Sequence, residues 1–206
     1  RIFQKHERTT DTELSVDVLL DASASQLQRQ ESVAAQAYIL SESLTRCGLP
    51  VRVFSFCTVG DCTVVRIYRD YGESRGSEAV FGYSAAGFNR DGLAIRAANY
   101  MLSDTPYEHR VLITLSDCSP NDVKRITGPD GRKSGYEGRA GVEDSAMEVE
   151  KLRRMGVRVM CVFTGEESEL LNARRIYGRE LVRIRHISQF ADAVGGKDRL
   201  YLGPVS

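Results

Sequence analysis

The sequence predicts an α/β protein built on one doubly wound, mostly parallel six-stranded sheet, with one antiparallel edge strand and helices on both faces. Two observations support this prediction. Short apolar runs alternate with segments of helical periodicity along most of the chain. Two of these runs, residues 14–21 and 110–117, are almost continuously apolar, which is typical of strands covered on both faces. The expected architecture is therefore Rossmann-like.

The individual elements follow from local patterns. Residues 28–47 have apolar side chains at helical spacing and are followed by Gly48, which ends the predicted helix. Residues 51–57 and 62–68 are strands separated by a short turn with a glycine, which indicates an antiparallel hairpin. Arginines alternate with apolar residues in 180–186, as suits an exposed edge strand. Further helices are predicted over 91–103, 142–155, 166–177 and 188–194, a strand over 157–164, and long loops over 69–88 and 118–141.

The composition describes a neutral globular protein. The 206 residues include 28 Lys and Arg and 28 Asp and Glu, so the net charge is zero. Proteins that bind nucleic acids or membrane surfaces usually carry a basic excess, so we expect neither partner. The five cysteines form no CxxC pair, which argues against a zinc site or a disulfide framework and favours a reducing, cytoplasmic compartment. We also expect no transmembrane helix, because the apolar runs are short.

One domain accounts for the pattern, because the chain contains no internal repeat and no low-complexity tract. We expect this domain to span residues 14–195. Residues 1–13 are interpreted as an N-terminal extension of a longer protein, since the sequence begins with Arg1 and not with Met. Residues 196–206 are interpreted as a C-terminal tail.

Oxygen-bearing side chains follow two of the apolar strands. The first strand ends in Asp21, with Ser23 and Ser25 at alternate positions after it, and the strand over 110–117 ends in Asp117. In doubly wound sheets, ligands bind beyond the carboxyl ends of the strands. Carboxylates and hydroxyls suit Mg²⁺, Mn²⁺ or Ca²⁺ better than Zn²⁺. The pattern therefore predicts a divalent metal site, although the serines alone could equally be helix N-caps.

These residues resemble a known site. The chain resembles a von Willebrand factor type A (VWA) domain, in which a D-x-S-x-S sequence after the first strand forms a metal-ion-dependent adhesion site. The resemblance implies that Ser23 and Ser25 contact the ion and that Asp21 and Asp117 hold it directly or through water. A third loop in that family usually supplies a Thr. The matching stretch here begins Asn89-Arg90-Asp91, so Asn89 or Asp91 would have to substitute for it, or the site is altered.

Other motifs narrow the resemblance. The stretches at 89–92 and 116–122, together with 136–144, are similar to the C-terminal domain of the cobaltochelatase T subunit and of nitric-oxide-reductase activation proteins. This resemblance implies an adaptor that works with a MoxR-type or chelatase-type AAA+ ATPase on a target metalloprotein. An Asp or Glu of the partner would serve as a further ligand of the ion, which would be Mg²⁺ or else Mn²⁺ or Ca²⁺.

The stretch at 136–144 has two interpretations. Its charged residues could cap the following helix, since acidic groups near a helix N-terminus are favourable. They could instead form a loop that supports the metal edge or contacts a partner. The residues concerned are Tyr136, Glu137, Arg139, Glu143 and Asp144.

Two alternative functions remain open. One is a metal-dependent hydrolase or phosphatase with Asp21 as nucleophile, although such an enzyme would have a second Asp where Ser23 stands. The other is a VWA module that binds partners without a metal. The chain has neither glycine-rich phosphate-loop motif, GxxxxGK[ST] or GxGxxG, so we expect no ATP hydrolysis. The favoured interpretation, an adaptor, is not an enzyme.

Overall fold

The computed structural model describes residues 14–60, 62–73, 76–127, 131 and 133–183, although the side chains of 123–127 and 134 are not among the described ones. The predictions for residues 1–13, for a helix over 188–194 and for a tail over 196–206 lie outside these residues. They stay predictions, as does the domain boundary at residue 195.

The structure has eight strands, four α-helices and three short 3₁₀ helices within the described residues. The strands are β1 (Leu14–Asp21), β2 (Val51–Val59), β3 (Cys62–Arg69), β4 (His109–Ser116), β5 (Asn121–Thr127), β6 (Lys133–Glu137), β7 (Val157–Phe163) and β8 (Leu181–Arg183). The helices are α1 (Gln30–Arg46), α2 (Asp91–Ser103), α3 (Gly138–Arg154) and α4 (Leu170–Tyr177). The 3₁₀ helices are Ala24–Arg29, Ser77–Gly82 and Glu167–Glu169.

Six strands form one sheet in the order β3-β2-β1-β4-β7-β8. β1 pairs in parallel with both β2 and β4, and only β3 runs antiparallel, as the outer partner of β2. The chain leaves β1 toward β2 on one side and later adds β4 on the other side. The strand order therefore reverses at β1, which is where open α/β sheets bind ligands. The predicted fold class and the antiparallel edge hairpin are confirmed.

Helices cover both faces of this sheet because successive side chains of a strand point to opposite faces. On one face, Val16, Val18 and Leu20 of β1 pack with α1. On the other face, Leu19 packs in a second cluster that α2, α3 and α4 complete, including the fully buried Leu152. The apolar runs thus form the centre of two cores, one on each face of the sheet. The polar residues that follow these runs lie at the ends of the strands.

The predicted loop over 118–141 is wrong in part. It contains an antiparallel hairpin, β5 with β6, that forms a separate two-stranded sheet. The hairpin is irregular, with a register shift between Asp122 and Arg125, and its strands lack the alternation of apolar residues that predicts a half-buried strand. An isolated bridge between Asn89 and Asn121 connects it to the segment that precedes α2.

Other boundaries differ by a few residues. α3 begins at Gly138, four residues before the predicted start at Val142, because a Gly-Arg-Ala-Gly sequence gives no apolar period to detect. The predicted helix over 166–177 divides into a 3₁₀ turn and α4. β8 confirms an edge strand over Leu181–Arg183, and the rest of 180–186 after Arg183 lies outside the described residues. No helix in the described part of the chain is long and apolar enough to cross a membrane.

Candidate functional site

The candidate site lies at the carboxyl ends of β1 and β4. These strands are parallel neighbours, with Leu20 opposite Leu115, so the residues that follow them meet at the same edge of the sheet. Asp21 is the last residue of β1 and Ser116 is the last residue of β4, with Asp117 after it. The two loops predicted to act together are therefore adjacent in space.

The first loop folds around the Asp21 carboxylate. The Ser23 backbone N–H donates to Asp21 Oδ1 at 2.9 Å, which turns the chain sharply after the strand. The Ser23 and Ser25 hydroxyl oxygens are 3.0 Å apart. Ser25 Oγ donates to Asp117 Oδ2 at 2.5 Å. Asp21 and Ser23 are buried, whereas Ser25 is exposed, so this group of side chains reaches the surface at Ser25.

Ser116 links this group to the third loop. Its hydroxyl oxygen lies 3.2 Å from Asp21 Oδ2 and 3.3 Å from Asp91 Oδ1. Asp91 is the first residue of α2 and is buried. The structure therefore brings Asp91 into contact with the same cluster as Asp21 and Asp117. We call the six residues Asp21, Ser23, Ser25, Asp91, Ser116 and Asp117 the oxygen cluster.

Asn89 is at the cluster, but both ends of its amide are used to hold loops together. Its Nδ2 donates to Asp91 Oδ2 at 3.0 Å and to the Ser119 carbonyl at 3.1 Å. Its Oδ1 accepts from the Asn121 backbone N–H at 2.9 Å. Of the two residues that could replace the family's Thr, Asp91 offers a carboxylate toward the cluster, and Asn89 fixes the position of that carboxylate.

The pKa of each of the three cluster carboxylates is raised above its ordinary value. Burial is the largest cause for each of them, because it disfavours the charged form. The Asp117 charge adds to this effect at Asp21, whose pKa rises to about 7. The pKa of Asp91 rises well above its ordinary value, with the charges of Asp21 and Asp117 contributing. Arg29 opposes the shift at Asp117, where its positive charge favours the carboxylate.

This donor set suits a hard divalent cation. It consists of carboxylate and hydroxyl oxygens, which are the ligands that Mg²⁺, Mn²⁺ and Ca²⁺ prefer. A cation among the three carboxylates would also relieve the repulsion that raises the pKa of Asp21. No group of three or more His, Cys, Asp or Glu side chains in the described residues is arranged to hold a metal by itself. The serine hydroxyls would therefore be needed as ligands.

Glycines allow the loops to approach the cluster closely. A Cβ on Gly165 would lie 2.8 Å from the Asp117 carbonyl oxygen, which is too close for two non-bonded atoms. A Cβ on Gly87 would overlap the Thr58 carbonyl, and the carbonyl of Gly87 accepts from the Ala24 N–H at 3.0 Å. The segment around Gly87 thus crosses directly over the first loop.

Tyr136 and Asp144 support the start of α2. The Gly92 N–H donates to the Tyr136 hydroxyl at 2.9 Å, and that hydroxyl donates to Asp144 Oδ2 at 2.7 Å. A Cβ on Gly92 would overlap Asp144 Oδ2, so the contact depends on a glycine at this position. Because Gly92 follows Asp91, the hairpin residue Tyr136 and the α3 residue Asp144 both act on the loop that carries one of the cluster carboxylates.

The other three residues of that predicted group lie at the surface. Glu137 ends β6 and is exposed. Arg139 and Glu143 form an exposed ion pair one turn apart on α3, with Nε 2.7 Å from Oε1. None of the three touches the oxygen cluster through a described hydrogen bond or ion pair, and their role in partner binding stays a prediction.

Sequence reasoning did not assign a role to two residues at the site. Ser116 bridges two carboxylates. Its place in the sequence, beside Asp117 at the end of an apolar strand, could have indicated that it belongs to the site. Tyr83 donates from its hydroxyl to the Asp21 carbonyl, and it lies in a segment with no sequence period to locate it. Cys118, which follows Asp117 at the sheet edge, is buried and lies against Cys161 with the sulfurs 3.8 Å apart.

The sequence is similar to one matched protein family and to several bacterial proteins. Residues 2–72 match the family described as "Cobalamin biosynthesis protein CobT VWA domain". The chain is 30% identical over 162 residues to the uncharacterized protein PA0525 of Pseudomonas aeruginosa, covering 77% of this chain and 24% of that protein. It is 28% identical over 171 residues to protein NorD of Brucella abortus, covering 78% of this chain and 25% of that protein. The chain thus spans about a quarter of the length of these relatives.

Solved structures agree on the fold. The vWF domain of the type V pili tip protein Mfa5 from Porphyromonas gingivalis superposes with a TM-score of 0.66 at 9% identity, over 94% of this chain and 98% of that one. Manganese-loaded Plasmodium vivax TRAP protein superposes with a TM-score of 0.62 at 15% identity, over 88% of this chain and 70% of that one. These structures show that the chain has the VWA α/β fold, and the family match over residues 2–72 supports a VWA domain.

Proposed function

We propose that this VWA domain is a divalent-cation-dependent protein-interaction module and not a catalyst. Asp21, Ser23, Ser25 and Asp117 would hold the ion, with Asp91 as a further carboxylate. The ion would supply a localised positive charge to which an Asp or Glu of a partner protein binds. The module would act as an adaptor that connects a MoxR-type or chelatase-type AAA+ ATPase with the metalloprotein that is activated or metallated.

One observation carries the proposal. Three carboxylates, those of Asp21, Asp91 and Asp117, are gathered with three serine hydroxyls at the strand-order reversal of the sheet. Burying like charges together is unfavourable unless they are neutralised by protons, by cationic groups or by a bound cation. The cluster therefore has the composition of a cation site, and its exposed end at Ser25 gives a partner access to it.

The surrounding residues would keep the ligands in position. Asn89 fixes Asp91, and Tyr136 with Asp144 fixes the backbone that follows it. Such supporting hydrogen bonds restrict the orientation of a ligand and so increase the affinity of a site. They also connect the β5–β6 hairpin to the cluster, so a partner bound at the hairpin could alter the position of Asp91.

The proposed adaptor role in a metalloenzyme system follows from the relatives. The matched family is named for cobalamin biosynthesis, and protein NorD is among the similar proteins. The sequence resemblance to cobaltochelatase T subunits and nitric-oxide-reductase activation proteins suggests the AAA+ partner. Because the chain spans about a quarter of these relatives, the ATPase would contact either this domain or the remainder of a longer protein.

A metal-free module is the second candidate, and one observation favours it. The cluster oxygens are joined by hydrogen bonds among themselves, with Ser25 bonded to Asp117 and Ser116 near both Asp21 and Asp91. Protonated carboxylates could persist in such a network without an ion, since the pKa of Asp21 is about 7.

A thermal unfolding experiment separates the two candidates. Mg²⁺, Mn²⁺ or Ca²⁺ is expected to stabilise the protein relative to EDTA, by about 2.7 kcal/mol when the ion is at a hundred times its Kd. The variant Asp21→Asn should lose this response, while Asp104→Asn, at an exposed position beyond α2, should keep it. If none of the three ions shifts the midpoint of the unmodified protein, the metal-dependent function is wrong.

The adaptor role needs its own measurement. The MoxR-type or chelatase-type ATPase of the same genome is immobilised, and binding of the protein is compared in Mg²⁺ and in EDTA. We expect binding to fall at least tenfold in EDTA and with Asp21→Asn, and to be unchanged with Asp104→Asn. Binding that is equal in Mg²⁺ and EDTA would contradict the metal-bridged contact and favour the metal-free module.

A further inference from the structure

A polar pocket lies beside the oxygen cluster. It has a volume of about 290 Å³ and is formed by the residues around the start of α1 and by the ends of β7 and β8. Its charged and polar lining includes Arg29, Gln36, Thr164 and Arg183, with Gly165 at the side nearest the cluster. The size is suited to one or two amino-acid side chains, since pockets for drug-sized ligands begin at about 300 Å³.

Gln36 lies in the wall of the pocket and has an unpaired polar atom. The residue is only 7% exposed. Its Nε2 donates to Ser32 Oγ at 3.3 Å, but its Oε1 has no hydrogen-bond partner. Buried acceptors are nearly always paired in folded proteins, because leaving one unpaired is costly. The oxygen is enclosed by protein atoms, so a ligand N–H in the pocket would pair with it after a rotation of the side chain.

Two arginines give the pocket its affinity for an anion. Arg29 forms an ion pair with Glu166, and Arg183 forms one with Glu167. The glutamate side chains are 73% and 71% exposed, whereas those of the arginines are 31% and 29% exposed. Exposed ion pairs contribute little stability, so an incoming carboxylate can displace these glutamates from the guanidinium groups.

The pocket and the cluster are connected by one short element. The 3₁₀ helix Ala24–Arg29 carries Ser25 at its start and Arg29 at its end. With a rise of about 2 Å per residue, the two backbone positions are about 8 Å apart. An extended peptide advances about 3.3 Å per residue and points every second side chain to the same side, so side chains two positions apart would span about 7 Å on one side.

We propose that the pocket binds a second acidic side chain of the same partner that binds at the oxygen cluster. Its carboxylate pairs with Arg29 and Arg183, and a neighbouring backbone N–H donates to Gln36 Oε1. The partner is therefore recognised through two acidic residues in an extended segment, two positions apart. This inference rests on the proposed function for the first carboxylate, whereas the pocket itself consists of separate residues.

Two peptides in Mg²⁺ test the proposal by fluorescence anisotropy. The first has aspartates two positions apart in an alanine-glycine background, and the second has asparagine in place of the later aspartate. We expect the first to bind the unmodified protein at least tenfold more tightly. In Arg29→Met this advantage should fall below twofold, while the exposed-site control Glu78→Gln should keep it. An equal advantage in Arg29→Met, or none in the unmodified protein, would overturn the proposal.

Two further variants change affinity in opposite directions. Glu166→Gln removes the competing carboxylate and is expected to tighten binding of the two-aspartate peptide two- to fivefold. Gln36→Leu should weaken it three- to tenfold while raising the melting temperature, because the unpaired buried acceptor is removed. Loss of both affinity and melting temperature in Gln36→Leu would indicate a structural residue and contradict the proposal.

The same peptides distinguish a failure of the proposed metal site from a failure of the proposed pocket. In EDTA, and in Asp21→Asn, the one-aspartate peptide should not bind, but the two-aspartate peptide should keep a weak affinity that depends on Arg29. If Mg²⁺ has no effect while this Arg29-dependent affinity is present, the proposed function is wrong and the pocket is right. If Mg²⁺ strengthens both peptides and the two then bind with equal affinity, the metal contact is right and the pocket is wrong.

Discussion

The same strand carries two buried aspartates whose surroundings are opposite in kind. Asp17 and Asp21 lie on one face of β1, and both have no exposed surface. Asp17 pairs with Arg52, whose Nε is 2.6 Å from Oδ1, and accepts a further hydrogen bond from the Tyr71 hydroxyl. Asp21 has hydroxyl and backbone partners and two carboxylates for neighbours. The first aspartate has a counter-ion in the chain, whereas none of the described residues provides one to the second.

The charged groups around each aspartate indicate whether that aspartate stabilises the fold or takes part in binding. Burial raises the pKa of both aspartates, but the Arg52 charge opposes this at Asp17, whereas the Asp117 charge adds to it at Asp21. The Arg52 guanidinium also lies 4.7 Å from the centre of the Tyr71 ring, which holds the pair in place. A charge that is neutralised internally contributes to the fold. A charge left among like charges indicates that something from outside is needed.

The largest expected effect is at the internally neutralised aspartate. Arg52→Met should destabilise the protein by about 3–5 kcal/mol, because it leaves Asp17 buried without its partner. The free energy of unfolding in urea measures this loss. The double variant Asp17→Asn with Arg52→Met should recover a large part of it, and Mg²⁺ should not change the difference. Equal losses in the single and double variants would mean that packing of the arginine, and not its charge, matters.

The pH dependence of stability sharpens the comparison at Asp21. Its pKa is about 7 in the folded protein and ordinary, near 3.8, when unfolded, so the folded state binds more protons between these values. The free energy of unfolding in EDTA should therefore fall as the pH rises from 4 to 7, by up to about 4 kcal/mol at about 1.4 kcal/mol per unit.

The isosteric variant Asp21→Asn provides the control for this pH effect. Its stability should fall less over the same range, because the group that loses the proton is gone. Adding Mg²⁺ should reverse the trend in the unmodified protein, since protons compete with the ion for the carboxylates. Parallel pH profiles for the variant and the unmodified protein would show that Asp21 does not titrate in this range.

The smallest expected effect concerns the support of the oxygen cluster. Tyr136→Phe removes the acceptor of the Gly92 N–H and the donor to Asp144, at a cost of about 1–2 kcal/mol in stability. If Tyr136 positions Asp91, the variant should also weaken Mg²⁺ binding, as measured by isothermal titration calorimetry. Tyr100→Phe, at a residue that is 81% exposed on the same helix as Gly92, should change neither quantity. Unchanged Mg²⁺ binding in Tyr136→Phe would assign Tyr136 to the fold alone.

Much of the fold could be predicted because the central strands are covered on both faces. β1, β4 and β7 are mostly apolar for this reason, and that signal needs no knowledge of the rest of the chain. The β5–β6 hairpin escaped prediction because it lies outside this sheet and is built from polar residues with an irregular register. Its pairing depends on contacts with the Asn89 segment that are distant in sequence.

Some residues of the candidate site could likewise be predicted from the sequence, and others could not. Asp21, Ser23 and Asp117 could be located because they directly follow predictable strands. Gln36 could not, because at its position in α1 it reads as one more polar residue of an amphipathic helix, and its unpaired oxygen exists only in the folded chain. The role proposed for Arg29 likewise depends on the ends of β7 and β8, which line the same pocket and are more than a hundred residues away in sequence.

The glycines around the oxygen cluster have a consequence for how the site can change in evolution. Gly87, Gly92 and Gly165 each stand where even a single added carbon would collide with the backbone or side chain of another loop. The oxygen donors do not carry this constraint, because carboxylate and hydroxyl oxygens both suit a hard cation. Substitutions that would alter which ion or partner is preferred are therefore available at the donors, whereas a substitution at these glycines would force the neighbouring segments apart.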